Sequence, residues 1–86
     1  MQAVVEPWWV YIVECADGTL YTGVARDVDR RIETHNLGKG ARYTRGRGPV
    51  QLRGQCGPMS HSEALKLEHH IKRLPTADKL AALTAG

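Results

Sequence analysis

The chain has 86 residues, a length that fits one small domain spanning residues 1–86. A chain this short buries only roughly 60% of the surface that its unfolded form exposes, so we expect a thin core. Its apolar fraction of 42% and charged fraction of 24% are those of a globular protein and exclude a disordered tail. The formal net charge is +3, from 12 Lys and Arg against 9 Asp and Glu.

The cysteines and the N-terminal segment indicate in which cellular compartment the protein is expected. Cys15 and Cys56 are too few for a disulfide framework and lack the paired spacing of a zinc ribbon, so we interpret them as reduced thiols of a cytoplasmic protein. The apolar N-terminal stretch is interrupted by Glu6 and Pro7, lacks a basic start and is too short to span a bilayer. We therefore expect neither a signal peptide nor a membrane anchor.

The first part of the chain predicts a β-hairpin. Residues 8–14 and 19–24 are apolar and rich in β-forming residues, and they flank an Ala-Asp-Gly turn. Because strand side chains alternate between faces, the loop length decides which residues meet. A two-residue loop, Asp17-Gly18, would put Tyr11 and Tyr21 on opposite faces. We predict a loop with an odd number of residues: three residues, Ala16-Asp17-Gly18, put both tyrosines on one face, with Gly23 opposite Tyr11 and leaving room for its ring, and five residues keep the same parity.

A helix is predicted next, between Asp27 and Gly38. Asp27 is a typical N-cap, and Gly38 is a typical stop after the last turn. Between them Val28, Ile32 and His35 recur at helical spacing, which indicates one inward-facing side.

The second half of the chain predicts one strand and two helices. Pro49 to Gln55 is a short strand candidate, and Ser60 with Glu63 forms a capping box. The helix that follows carries an apolar stripe of Ala64, Leu67, Ile71 and Leu74 and is broken at Pro75-Thr76. Residues 78–84 predict a last helix. The expected fold is α/β of the α+β kind: a small three-stranded, mainly antiparallel sheet flanked by helices, ordered strand, strand, helix, strand, helix, helix.

Charge is distributed unevenly along the chain. Residues 37–62 contain no acidic residue and carry five cations: Lys39, Arg42, Arg45, Arg47 and Arg53. Cations neutralise phosphates, the glycines let a polyanion approach the backbone, and Tyr43 offers a stacking face. On composition alone, a nucleic-acid-binding loop and a solvated, mobile loop are equally supported.

Three polar residues lie at the borders of predicted buried faces. Arg31 and His35 share the inward half of the first helix, and Glu68 lies at the edge of the second helix's apolar stripe. Taken singly, each has an ordinary structural explanation: a snorkelling arginine, a hydrogen-bonded histidine and a solvated glutamate.

Taken in order, these residues resemble the GIY-YIG nuclease domain, and in particular its small single-domain bacterial branch. The two name motifs of that family have counterparts in Val10-Tyr11-Ile12 and Tyr21-Thr22-Gly23, and Arg31, His35 and Glu68 follow. The resemblance extends from Trp8 to about Leu83.

The resemblance implies a metal-dependent endonuclease that hydrolyses DNA phosphodiester bonds with low sequence specificity, or with structure selectivity, in DNA repair or turnover. It implies Glu68 as the ligand of one divalent ion, Mg²⁺ or Mn²⁺, and Arg31 as the group that stabilises charge on the phosphate. Tyr11 and Tyr21 would line the site, one of them activating water, and His35 would hydrogen-bond a tyrosine or the phosphate. Nucleic-acid contacts are expected at Gly23, Lys39, Arg42, Tyr43, Arg45 and Arg47.

Some features depart from that family or leave alternatives open. Val10 replaces the first Gly of the name motif, Val24 stands where the excision-repair incision subunit has a lysine, and the C-terminal Asn of homing-endonuclease members has no counterpart. DNA is the expected partner, with RNA as the open alternative. We expect no second DNA-binding domain, so a protein partner would supply any specificity. The alternative function is a catalytically weak nucleic-acid-binding module on the same fold, and an interaction module without nucleic acid is a third.

Overall fold

The protein, here as a computed structural model, is described from residue 7 to residue 85, with side chains to residue 83. The first six residues, part of the stretch for which we expect no signal peptide, lie outside this range. The elements follow the predicted order: β1 (Trp8–Glu14), β2 (Leu20–Ala25), α1 (Val28–Asn36), β3 (Gln51–Met59), α2 (His61–Lys72) and α3 (Thr76–Ala85). Within the described range, no helix has the length and apolar character needed to cross a membrane.

The three strands form one antiparallel sheet in the order β2-β1-β3. Tyr11 pairs with Gly23 and Val13 pairs with Tyr21 across the hairpin. The backbone N–H of Cys15 donates to the carbonyl of Thr19 at 2.8 Å, which closes a three-residue loop. The predicted register is therefore confirmed, and Tyr11 and Tyr21 lie on the same face of the sheet.

The helices cover opposite faces of the sheet. On the face that carries Tyr11, the strands pack under α1 around Tyr11, Val13, Cys15, Ala25, Val28 and Val50. On the other face they pack under α2 and α3 around Val10, Ile12, Ala64, Ile71 and Leu83. The central strand β1 is buried on both sides, which explains its continuous apolar run. Strand β2 remains at the edge, with α1 on one side of it and α2 on the other.

Side-chain caps fix where α1 and α2 begin. Asp27 Oδ1 accepts a hydrogen bond from the backbone N–H of Arg30 at 3.1 Å. Ser60 Oγ accepts from the N–H of Glu63 and donates to its Oε1, both at 3.1 Å. Both predicted caps are confirmed, and each satisfies a backbone N–H group in the first turn of its helix.

Two predicted boundaries and one loop differ from the structure. Strand β3 continues to Met59 instead of ending at Gln55, because Trp8 of the central strand pairs with Met59 and holds the later residues in the sheet. Helix α3 begins at Thr76 instead of residue 78. The basic loop, residues 39–47, contains a short 3-10 helix, Arg42–Thr44, that the sequence did not predict.

Candidate active site

A chain of hydrogen bonds links the central strand to the basic loop through α1. The hydroxyl of Thr44 donates to the carbonyl of Ala41 at 2.9 Å and lies 2.7 Å from His35 Nδ1. Because that hydroxyl donates its only proton to Ala41, it must accept a hydrogen bond from His35 Nδ1–H. The other ring nitrogen, Nε2, is then unprotonated and acts as an acceptor. Tyr11 Oη lies 2.8 Å from Nε2 and therefore donates its proton to the imidazole. Tyr11 and His35 are each 1% exposed.

Two glycines provide the space for this chain. A Cβ atom at Gly23 would lie 2.6 Å from the hydroxyl oxygen of Tyr11, so the residue opposite the ring has to lack a side chain. A Cβ atom at Gly40 would lie 2.2 Å from His35 Nδ1. Gly23 was expected to make room for the tyrosine ring, and the register places it there. The role of Gly40 was not predicted.

Burial sets the protonation states of Tyr11 and His35. It raises the pKa of Tyr11 to about 12, a rise that the guanidinium of Arg31 opposes and that Tyr21 and Glu68 add to. Burial also lowers the pKa of His35, and the positive charge of Arg31 lowers that pKa further. At neutral pH the pair therefore consists of a neutral phenol and a neutral imidazole, which agrees with the hydrogen-bond directions.

Arg31 and Glu68 meet the tyrosines at the β2 edge of the sheet, although they come from helices on opposite faces. Arg31 is half-buried on α1 and acts electrostatically on both Tyr11 and His35. The side chain of Glu68 is 18% exposed on α2, at the predicted border of its apolar stripe. The negative charge of Glu68 contributes to the raised pKa of Tyr11. The five residues expected to carry chemistry are thus brought together: Tyr11, Tyr21, Arg31, His35 and Glu68.

Lys72 joins this group from one turn further along α2. Its Nζ lies 3.3 Å from Glu68 Oε2 and 5.5 Å from the centre of the Tyr21 ring. Lys72 was not among the predicted site residues. The spacing of a glutamate and a lysine four residues apart on one helix was the available signal.

The basic loop is attached to the hairpin turn through stacked side chains. The ring of Tyr43 stacks on Tyr21 with centroids 5.8 Å apart, and the guanidinium of Arg47 lies 4.5 Å from the Tyr43 centroid. Arg47 also forms a 2.5 Å ion pair with Asp17 in the turn. Lys39, Arg42 and Arg45 are exposed and have no ion-pair partner in the part of the chain that the structure describes. The loop is therefore anchored by Arg47 and Tyr43, and its other cations face solvent.

The donor set at Glu68 fits a hard, largely hydrated divalent ion. Nowhere in residues 7–83 do three or more His, Cys, Asp or Glu side chains gather as a metal site, so a carboxylate-rich cage is absent from this range. Glu68 offers one carboxylate at the boundary with solvent, and it already has a cation, Lys72 Nζ, in contact with it. A single carboxylate with water ligands is a common arrangement for Mg²⁺. The residues present are therefore compatible with the expected ion.

Comparison with known proteins relates the chain to one family of domains. The profile of the GIY-YIG catalytic domain matches residues 7–80. A UPF0213 protein from Nitratidesulfovibrio vulgaris is 51% identical over 78 residues, which cover 91% of this chain and 71% of that protein. A UPF0213 protein from Halobacterium salinarum is 54% identical over 72 residues, which cover 84% of this chain and 94% of that protein.

Two structures solved by NMR share the fold. A UPF0213 protein from Bacillus halodurans superposes with a TM-score of 0.56 at 46% identity, covering 91% of this chain and 83% of that one. A protein from E. faecalis superposes with a TM-score of 0.63 at 32% identity, covering 99% of this chain and 90% of that one. The profile match spans most of the chain and includes every residue of the cluster at the β2 edge. The chain therefore belongs to the GIY-YIG family of nuclease domains, among its small UPF0213 members.

Proposed function

We propose that the protein is a metal-dependent endonuclease that hydrolyses phosphodiester bonds in DNA. The observation that carries this proposal is the hydrogen-bonded path from Tyr11 through His35 to Thr44, whose Tyr11 end is under the influence of Arg31 and Glu68. Hydrolysis needs a proton acceptor for water, positive charge at the phosphate and a way to move the accepted proton. This cluster supplies a candidate for each.

Tyr11 is the tyrosine better placed to activate water. Its phenol has a pKa of about 12 and is neutral at rest, so it can take a proton from water only while it gives up its own. His35 Nε2, 2.8 Å away, is positioned to receive that proton. The imidazole would then carry a positive charge, and Thr44 would stabilise it by continuing to accept from Nδ1–H. Tyr21 lies at the rim and forms the wall of the site.

Arg31 and Glu68 have complementary tasks in the proposed reaction. The guanidinium of Arg31 matches the equatorial oxygens of a phosphate in a bidentate contact and stabilises the charge that develops there. Glu68 would hold the Mg²⁺ or Mn²⁺ ion, which supplies Lewis-acid stabilisation of the phosphate oxygens.

The substrate is expected to be recognised mainly through its backbone. Lys39, Arg42 and Arg45 present positive charge on a Gly-rich loop, and contacts of this kind bind phosphates without reading sequence. We therefore propose low sequence specificity, or selectivity for DNA structure, with a protein partner adding any further specificity. A cytoplasmic role in DNA repair or turnover fits such an enzyme.

The experiment that tests the proposed function is incubation of the pure protein with labelled plasmid and branched DNA. Cleavage is expected with Mg²⁺ or Mn²⁺ and not with EDTA. The variant Arg31→Ala should be inactive while it remains folded, because Arg31 is half-buried at the site and lies outside both apolar cores. Wild-type protein that binds DNA and cuts no substrate with either ion would favour the binding module instead.

A further inference from the structure

Lys72 lies at the junction between the candidate active site and a neighbouring cavity. Its Nζ contacts Glu68 Oε2 at 3.3 Å, and its side chain is 47% exposed. The same side chain lines a cavity of about 640 Å³ at the start of β2. The flexible stem of a lysine allows the ammonium group to reach either the carboxylate or the cavity.

The cavity has the character of an anion site that continues from the active site. Its walls include Tyr21, Thr22, Tyr43, Lys72, Thr76 and Lys79. None of the described residues that line it is acidic, so its formal charges are two ammonium groups. Lys79 is already engaged, since its Nζ donates to the carbonyls of Ile71 at 2.9 Å and Lys72 at 3.2 Å. Lys72 is therefore the cation that can turn toward a ligand.

We propose that this cavity binds a phosphodiester group next to the one that is cut, and that Lys72 is the group that binds it. Lys72 then has two states. Without a divalent ion it neutralises Glu68, and with the ion on Glu68 it is displaced toward the phosphate. The inference rests on the proposed function, because it assigns a further phosphate contact and a competitor for the ion at the same site.

The competition follows from charge. Glu68 carries one negative charge, and a divalent ion that binds it has to displace the ammonium group or share the carboxylate with it. Removing that ammonium group should therefore strengthen ion binding. Removing it should also weaken binding of DNA, since one phosphate contact is lost. A purely structural role for Lys72 does not predict these opposite effects.

The test uses three variants of the full chain. Lys72→Met keeps most of the apolar stem and removes the charge, and Lys72→Arg keeps the charge. Lys66→Met is the matched control, because Lys66 is an exposed lysine on the same helix and does not line the cavity. Thermal unfolding checks that all three remain folded.

Two binding measurements are made, neither of which requires cleavage. Mn²⁺ binding, followed by electron paramagnetic resonance without nucleic acid, should tighten in Lys72→Met by up to roughly fivefold, the range that a half-exposed ion pair can account for. Binding of a short fluorescein-labelled DNA duplex is measured with saturating Ca²⁺, so that an ion occupies Glu68 and Lys72 is released. It should weaken in the same variant, and the log–log salt slope should flatten by roughly 0.7 to 0.9. Lys72→Arg and Lys66→Met should stay close to the wild type in both.

The proposal is overturned if Lys72→Met and Lys66→Met have the same Mn²⁺ affinity, including no binding in either. It is equally overturned if their duplex affinities and salt slopes are the same. Failure of the proposed nuclease activity is a separate result. A wild-type protein that binds Mn²⁺ and DNA but cuts nothing would contradict the proposed nuclease activity and leave both binding roles of Lys72 intact.

Discussion

The side chain on which the proposed chemistry depends most closely is His35. It is buried between Tyr11 and Thr44, and both ring nitrogens are hydrogen-bonded. Its usefulness as a proton acceptor depends on having the proton on Nδ1 and the lone pair on Nε2. Thr44 enforces that tautomer because its own proton is already directed at Ala41.

Replacing Thr44 by valine tests this role. The isosteric Thr44→Val leaves Nδ1–H without an acceptor, which should cost about 1–3 kcal/mol of stability and release the tautomer. Nitrogen NMR of the imidazole should show protonation shifting from Nδ1 toward Nε2, and cleavage should fall. Thr34→Val is the control, since Thr34 Oγ1 only donates to the carbonyl of Arg30 within α1. An unchanged tautomer in Thr44→Val would contradict the assignment.

The lowered pKa of His35 makes a prediction about pH. The pKa of a histidine is about 6.5 in the unfolded chain and lies below that value in the fold. As the pH falls from 6.5 toward the folded-state pKa, the unfolded chain takes up a proton that the fold does not, so stability is lost in that window.

Thermal unfolding of the wild type and His35→Gln should show this difference. The wild type should lose more stability than the variant below about pH 6.5. Above that pH the two curves of stability against pH should run parallel. The cleavage rate should likewise begin to fall only at a pH below 6.5, because His35 keeps its neutral imidazole down to its lowered pKa. Parallel curves throughout would show that His35 does not titrate in this range.

Gly23 allows a direct test of the packing against Tyr11. Gly23→Ala places a methyl group 2.6 Å from the tyrosine hydroxyl oxygen and should cost about 1–3 kcal/mol of stability. The double variant Tyr11→Leu/Gly23→Ala removes the outer ring atoms that the methyl group meets. The free energy of unfolding that the double variant loses, measured in urea, should be smaller than the sum of the losses in the two single variants. Strict additivity would mean that the two residues do not press on each other.

At the scale of the elements, local patterns determine most of what could be predicted. The loop length determines the hairpin register, and the caps at Asp27 and Ser60 determine where α1 and α2 begin. These signals act over a few residues. The extension of β3 to Met59 could not be predicted, since it depends on pairing with Trp8 far away in the chain. The 3-10 helix in the basic loop likewise lacked a local signal.

The basic loop contains two kinds of cation, and the structure distinguishes them. Arg45→Ala should weaken binding to duplex DNA equally across sequences and flatten the salt slope by roughly 0.7 to 0.9, with unfolding unchanged. Arg47→Ala should in addition lower the melting temperature, since Arg47 pairs with Asp17 and covers Tyr43.

Arg53→Ala serves as the control for both loop variants. Arg53 lies on β3 and pairs with Glu14, outside the loop, so its loss should leave the salt slope close to that of the wild type. If Arg45→Ala changes sequence preference and leaves the slope intact, the loop reads bases instead of phosphates.

On the scale of the whole molecule, the site exists only because three elements converge at one edge of the sheet. Strand β1 carries Tyr11 and joins the three elements of the edge: β2 carries Tyr21 and Gly23, α1 brings Arg31 and His35 from one face, and α2 brings Glu68 from the other. The ordered residue types predicted which side chains lie together at this edge. The roles of Thr44 and Gly40 could not be predicted, because they follow from how the loop folds back onto His35.

The central claim is that this convergence makes Glu68 the holder of a catalytic ion. Glu68→Gln keeps the volume of the side chain and removes the charge, so the fold should be retained. Loss of the ion removes several kcal/mol of transition-state stabilisation, so the cleavage rate should fall on the order of a hundredfold or more. Binding of DNA in EDTA should stay the same or tighten as a negative charge leaves the site. Glu33→Gln, an exposed position on α1, is the matched control.

The measurement that tests this claim most directly is the rate of plasmid nicking with Mg²⁺ and with Mn²⁺, compared among the wild type, Glu68→Gln and Glu33→Gln. We predict that the wild type and Glu33→Gln nick at similar rates and that Glu68→Gln is nearly inactive while it still binds the plasmid. Nicking by Glu68→Gln at the wild-type rate, in protein purified free of contaminating nuclease, would contradict the assignment of the metal site.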